Sequence, residues 1–74
     1  MKFYIIKNMN TKEMTDRICY ALEIAADKGY ITPQMGMDEL GKLWYEILEF
    51  EFTENEIDQI PESLIKSVFK SWVA

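Results

Sequence analysis

Acidic side chains are the residues of this sequence whose number and spacing come nearest to supporting a chemical reaction. Seven of them lie between Leu43 and Ile65, a stretch that contains no lysine or arginine. We call this set the acidic block, and it consists of Glu46, Glu49, Glu51, Glu54, Glu56, Asp58 and Glu62. Paired carboxylates can act as general acid and base, but a working pair needs a cleft that moves their pKa values apart. A chain of 74 residues has little room for such a cleft beside its core, so we predict that the protein is not an enzyme.

The other residue types exclude most of the remaining site chemistries. The sequence has no histidine and a single cysteine, Cys19, which rules out histidine-dependent catalytic triads, an internal disulfide and a Cys/His zinc site. Its three glycines are scattered and do not form a phosphate-binding loop. The segment from Thr53 to Glu62 lacks the glycine and the aspartate spacing of a calcium-binding EF-hand. Cys19 lies beside an apolar helical stripe, where a free cysteine is usually a packing residue. No metal or cofactor is expected.

Charge argues against direct binding to DNA or RNA. Nucleic-acid binding needs a basic footprint, whereas this chain has a formal net charge of -5. A helix-turn-helix arrangement around Gly29 keeps a small nucleic-acid binder open as an alternative. Its second helix would begin near Asp38 and Glu39, however, and these side chains repel phosphate.

Composition favours a folded protein without a membrane segment. Hydrophobic residues make up 49% of the chain, far from the composition of disordered sequences. No apolar run approaches the roughly 18 residues of a membrane span, and the run from Phe3 to Ile6 is too short for a signal peptide. A single unpaired cysteine suits a reducing compartment. We predict one domain, residues 1–74, in the cytoplasm.

Apolar spacing predicts where the helices lie. Asn10 followed by Glu13 is a plausible helix cap, and Gly29 is well placed to end a helix over residues 11–28. Asp38 can cap a second helix, although a start at Lys42 is an equal alternative. The stripes of the two helices are Met14, Ile18, Ala21, Leu22 and Ala25, followed by Leu40, Leu43, Trp44, Ile47 and Leu48.

The acidic block itself contains a helix start. Thr53 followed by Glu56 forms the pattern of a capping box, and Phe52 with Ile57 occupies the two positions of a hydrophobic staple. This short helix is expected to end near Gln59, because a proline disfavours helical backbone in the residue before it. A last helix then carries the widest apolar stripe of the chain, which consists of Leu64, Ile65, Val68, Phe69, Trp72 and Val73.

These elements predict an all-α fold, a small bundle of three main helices plus one short helix. The N-terminal segment is expected to be an irregular or strand-like arm. Its apolar run can pack on the bundle, pair with the sequence EFEF as a strand, or offer an edge to another chain. The side chains predicted to be buried are Ile18, Leu22, Trp44, Ile47, Leu48, Ile65, Phe69 and Trp72.

With these chemistries set aside, binding to another protein is the predicted function. Small size, acidity and a lack of catalytic residues are shared, at the level of a class, with accessory proteins such as phage-encoded inhibitors. We predict a small acidic inhibitor or regulator that binds a basic site on a larger protein, of which a site that binds nucleic acid is one example. The predicted contacts are Tyr45, as an aromatic anchor off the apolar stripe, and the acidic residues Glu46, Glu49, Glu51 and Asp58.

A structural or assembly subunit is the main alternative. The wide C-terminal stripe and the N-terminal apolar run are large for a chain with little volume to cover them. This predicts a homodimer, in which either the C-terminal helix or the N-terminal arm makes the contact. An assembly subunit would use its apolar helix faces, and the acidic block would contribute only helix caps and solubility.

Overall fold

The computed structural model describes residues 10–73, and within this range the chain forms four helices and no strand. They are α1 (Thr11–Asp27), α2 (Met37–Leu48), α3 (Glu54–Gln59) and α4 (Glu62–Val73). Helix α1 packs against both α2 and α4, and α2 also packs against α4. The predicted all-α bundle of three main helices and one short helix is confirmed. The predicted N-terminal arm lies outside the described residues.

Helix α1 begins and ends at the residues that its sequence indicates. The Asn10 side chain accepts a hydrogen bond of 2.7 Å from the Glu13 backbone N–H, which satisfies one of the free donors at a helix start. At the other end Gly29 adopts a left-handed conformation with φ of 77°, which costs glycine little. The chain then turns back, and the Tyr30 N–H donates to the Ala25 carbonyl at 2.9 Å.

Helix α2 begins at Met37, one residue before the predicted cap at Asp38. Gly36 is the N-cap residue, and Glu39 reaches back so that its Oε1 accepts from the Gly36 N–H at 3.1 Å. The carboxylate of Glu39 therefore satisfies the Gly36 N–H, while glycine has no side chain that could accept from the Glu39 N–H. The alternative start at Lys42 is wrong.

Helix α3 confirms the predicted capping box. The Glu56 N–H donates to Thr53 Oγ1 at 3.3 Å, and Glu56 Oε1 accepts from the Thr53 N–H at 2.9 Å. Phe52 and Ile57, the predicted staple, are both buried. The helix ends at Gln59, and Pro61 separates it from α4.

A single cluster of buried apolar side chains joins the helices. Its largest fully buried members include Ile18, Leu22, Leu40, Leu48 and Phe69. Because α1 contributes to this cluster and packs on both long helices that follow it, α1 is the scaffold that fixes α2 and α4 relative to each other. None of the helices in residues 10–73 has the length and apolar character needed to cross a membrane.

Two of the eight side chains predicted to be buried are not. Trp44 is 37% exposed, because the facing turns of α2 and α4 leave an open groove beside it. Trp72 lies in the last turn of α4 and is half-buried, since it packs against the core on one side. Helical periodicity correctly identified the face on which both residues lie, but it does not report how closely that face is covered. The other six are buried as predicted.

A candidate protein-binding surface

The acidic block is divided by one cation, Arg17 of α1. The Arg17 Nε lies 3.2 Å from Glu51 Oε2, and its Nη1 lies 3.2 Å from Glu56 Oε2. Nη2 donates to the Glu51 backbone carbonyl at 2.8 Å. The guanidinium also lies over the ring of Phe52, 4.4 Å from its centroid, the geometry of a cation–π contact. We call Arg17, Glu51, Phe52 and Glu56 the Arg17 cluster.

The Arg17 cluster fixes the ionised state of its members. The backbone hydrogen bond from Thr53, followed by the hydrogen bond and charge of Arg17, lowers the pKa of Glu56 despite partial desolvation. Desolvation works against the charge of Arg17, but hydrogen bonds and attraction to Glu56 and Glu51 outweigh it and raise the pKa of Arg17. Since each group stabilises the charged form of the other, the cluster attaches the start of α3 to α1.

Other members of the acidic block surround Tyr45 on α2. Partial desolvation, the charge of Glu54 and a hydrogen bond to it, and the charges of Asp58 and Glu49 together raise the pKa of Tyr45. None of the ion pairs within residues 10–73 involves these three acidic residues. We call Glu49, Glu54 and Asp58 the outer carboxylates. They place three negative charges around one phenol hydroxyl on the exposed side of α2 and α3.

An exposed tryptophan adjoins this acidic surface. The rings of Trp44 and Tyr45 meet edge to face, with centroids 5.4 Å apart. Trp44 also lines a groove of about 320 Å³ between α2 and α4, which we call the Trp44 groove. Its apolar walls are Met37, Gly41 and Trp44 on α2 and Ile65 and Phe69 on α4, and the charged residues that line it are Asp38, Glu62 and Lys66. The aromatic pair therefore connects the outer carboxylates with an apolar groove.

The structure separates the five residues that the sequence predicted as partner contacts. Glu46, Glu49 and Asp58 are exposed as expected. Tyr45 is half-buried, and the exposure predicted for it belongs to its neighbour Trp44, because the Tyr45 ring packs against the core while its hydroxyl faces the outer carboxylates. Glu51 is not exposed either, since Arg17 holds its carboxylate and only 24% of the side chain is accessible.

Two residues of the surface were missed from sequence. Trp44 was assigned to the core because it shares the apolar stripe of Ile47 and Leu48. Arg17 was counted only in the charge balance, although it is separated from Glu51 by 34 residues and from Glu56 by 39. The one available signal was that Arg17 is the single arginine of the sequence, and arginine favours partly buried ion pairs.

The described residues contain no group of three or more side chains arranged to hold a metal ion. Cys19 is half-buried, and desolvation together with the nearby charges of Asp16 and Glu23 raises the pKa of its thiol. A raised pKa lowers the fraction of reactive thiolate at neutral pH. Cys19 is therefore poorly suited to act as a nucleophile.

Comparison with known proteins gives no family for this chain. No protein-family model matches the sequence, and searches of curated proteins and of solved structures return no significant match.

Proposed function

We propose that this chain is a non-enzymatic protein-interaction module, a small acidic inhibitor or regulator of the phage or mobile-element type, acting in the cytoplasm. Its partner is a larger protein with a basic surface, such as a site that binds nucleic acid. The observation that carries the proposal is the junction of exposed Trp44 with Tyr45 and the outer carboxylates, which make no ion pair within residues 10–73.

This junction has the composition expected of a binding surface. Aromatic side chains provide a large share of binding energy at protein interfaces, and charged residues at the rim set the association rate and specificity. Trp44 supplies exposed apolar area, and the outer carboxylates supply a concentrated charge of one sign. A partner with a basic surface can contact Trp44 and the outer carboxylates at the same time.

The positions of the outer carboxylates also favour a role beyond folding. Glu49 is the C-cap residue of α2, and Asp58 is the second-last residue of α3. A helix C-terminus carries partial negative charge, so acidic side chains there are unfavourable. No basic residue lies in the last turn of either helix. Unlike Glu56, which caps a helix, these two residues reduce the stability of the helices that carry them, and binding to a cationic partner explains their presence.

Among the five sequence-predicted contacts, Tyr45, Glu46, Glu49 and Asp58 remain in this proposal. Glu51 contributes less, because its carboxylate is already held by Arg17. Trp44 and Glu54 join the set, since both lie directly beside Tyr45.

The test compares two sets of charge substitutions in partner capture from the native cell. The first combines Glu46→Gln, Glu49→Gln and Asp58→Asn. The matched control removes three exposed acidic residues of α1, with Glu13→Gln, Glu23→Gln and Asp27→Asn. We expect the first variant to lose its partner, the control to keep it, and raised salt to weaken capture, since rim charges govern salt dependence. Capture that survives both the first variant and raised salt contradicts the proposal.

The assembly subunit is a second candidate, and the exposed apolar surface of the Trp44 groove favours it. In this case the groove joins two copies of the chain, and the outer carboxylates have no partner. Sedimentation separates the candidates. A dimer that dissociates on Trp44→Ser supports the assembly subunit, and a monomer at high micromolar concentration contradicts it.

A further inference from the structure

The Trp44 groove combines two features that the proposed function does not use. Its walls are mainly apolar, and each of its two sides carries a carboxylate. Its apolar residues come from two helices, with Trp44 on α2 facing the side of α4 that carries Ile65 and Phe69. Asp38 of α2 and Glu62 of α4 add a carboxylate from each side. A volume of about 320 Å³ lies at the lower end of the roughly 300 to 1,000 Å³ typical of ligand pockets. The groove therefore suits a few apolar side chains flanked by cations.

The chain itself contains such a segment before Asn10. Residues 3–6 are Phe, Tyr, Ile and Ile, and they lie between Lys2 and Lys7. We propose that the Trp44 groove binds this segment of the same chain, with Phe3 and Ile5 against the apolar walls and the two lysines near Asp38 and Glu62. The segment and the partner proposed above would both contact Trp44, whereas the outer carboxylates lie outside the groove.

The two carboxylates of the groove support a lysine-flanked segment as its occupant. Asp38 makes no ion pair within residues 10–73. Glu62 pairs with Lys66 at 3.7 Å, and both side chains are largely exposed, at 82% and 71%. Exposed pairs of this kind are weak and exchange readily. Both carboxylates of the groove can therefore accept a lysine, whereas an acidic segment would be repelled.

The length of the chain permits docking within one molecule. Helix α1 has 17 residues, which corresponds to about 26 Å along its axis. Phe3 is seven residues before Asn10, and seven residues span up to about 25 Å when extended. The segment can therefore run along most of the length of α1, against which both α2 and α4 pack. A short covalent connection also gives the segment a high effective concentration, which favours docking within the chain over docking between copies.

Fluorescence of Trp44 in the full chain tests this proposal. Trp72→Phe leaves Trp44 as the single tryptophan. In that background we compare acrylamide quenching of the parent, of a variant with Phe3→Ser and Ile5→Ser, and of the control Asn8→Ser. Docking predicts a higher quenching constant and red-shifted emission for the first variant, and values like the parent for the control. Equal quenching in the parent and the Phe3/Ile5 variant, with unchanged helical circular dichroism, overturns the proposal.

A substitution in the groove provides a second, independent measurement. A Cβ at Gly41 meets no atom within 4 Å, and glutamine has a higher helix propensity than glycine. Gly41→Gln is therefore expected to fold, and its side chain is expected to fill the groove. In that background the Phe3/Ile5 substitutions no longer change Trp44 quenching, whereas in the control Lys42→Gln they still do. An effect that persists in Gly41→Gln overturns the groove as the site. An effect that grows with protein concentration, with dimers in sedimentation, overturns docking within one chain and assigns the segment to a second copy.

Discussion

Five residues of the acidic block fall into an inner half and an outer half, which differ in what surrounds them although they alternate along the same short stretch of sequence. Glu51 and Glu56 face α1, where the guanidinium of Arg17 lies between their carboxylates and over the Phe52 ring. Glu49, Glu54 and Asp58 face the other way, around the hydroxyl of Tyr45. The inner half is paired with a cation of the same chain, and the outer half adds unpaired negative charge to the exposed surface of the described residues.

This difference separates two roles that the sequence presents as one. The Arg17 cluster stabilises the fold by attaching the α3 region to α1. The outer carboxylates contribute nothing comparable, because no cation within residues 10–73 pairs with them. A run of acidic residues can thus be part structural and part available for binding, and the location of the nearest arginine decides which residues belong to each part.

The largest effect is expected at the base of the Arg17 cluster. Phe52 is 4% exposed and lies beneath the guanidinium. Phe52→Ala should reduce the free energy of unfolding by roughly 3 to 5 kcal/mol, as for other buried aromatics. Urea denaturation followed by circular dichroism measures this loss. A loss below 1 kcal/mol, on the order of a surface substitution, would show that Phe52 is not part of the core.

Arg17→Met should have the next largest effect, because it keeps the apolar stem over Phe52 and removes the charge from between two carboxylates. We expect a loss of roughly 2 kcal/mol in the free energy of unfolding. The control is Lys12→Met, which removes an exposed pair with Asp16 and should cost about 0.5 kcal/mol or less. Equal losses for the two variants would contradict the distinction between the halves of the block.

Glu56→Gln should cost about 1 kcal/mol at neutral pH, since it weakens a helix cap and its pairing with Arg17. The usual pKa of 4.5 is lowered in the fold, so the folded state favours the carboxylate. This contribution is complete above pH 4.5 and is lost as the pH falls through the lower, folded-state pKa. The parent should therefore lose more stability than Glu56→Gln on acidification below pH 4.5. Parallel curves of unfolding free energy against pH would contradict the role of Glu56.

In the outer half, removal of a carboxylate is expected to raise the free energy of unfolding rather than lower it. Glu49→Gln removes a negative charge from the C-cap of α2 and from the group around Tyr45. We expect a gain of about 0.3 to 1 kcal/mol in the free energy of unfolding. The effect should shrink at high salt, because the interactions are between exposed charges. A destabilised Glu49→Gln protein would indicate that Glu49 has a structural partner.

The smallest effect is local and concerns Tyr45. Desolvation, followed by the negative charge of Glu54, raises its pKa above the usual 10.0. Glu54→Gln should lower the pKa of Tyr45, whereas Glu56→Gln should leave it unchanged. Spectrophotometric titration, with Tyr45→Phe to identify the signal among four tyrosines, measures the shift. Identical titrations for parent and Glu54→Gln would remove Glu54 from the outer carboxylates.

Sequence predicted the features of this fold that depend on neighbours within one helical turn. The cap at Asn10, the left-handed Gly29 and the capping box of Thr53 and Glu56 each involve residues a few positions apart, and all are present. Arg17 could not be assigned to Glu51 and Glu56 in this way, because its partners depend on how α1 packs against the distant α3 region.

The candidate surface was only partly predictable for the same reason. The acidic block is visible in the sequence, but its division into inner and outer residues depends on how the helices pack in three dimensions. Trp44 illustrates the other limit. Its apolar spacing with Leu40 and Leu48 identifies a face of α2, whereas its exposure depends on the gap between α2 and α4, which no local pattern encodes.

The sequence distance that Arg17 spans has a consequence for the order of folding. Helical turns and caps form from local contacts early, while the contact from α1 to Glu51 and Glu56 closes loops of 34 and 39 residues and is entropically costly to form first. We expect the Arg17 cluster to be absent from the folding transition state. Replacing Arg17 should then accelerate unfolding and leave the refolding rate almost unchanged, which stopped-flow measurements of both chevron limbs resolve. Arg17 then determines the lifetime of the folded molecule through the unfolding rate, and it has little influence on the folding rate.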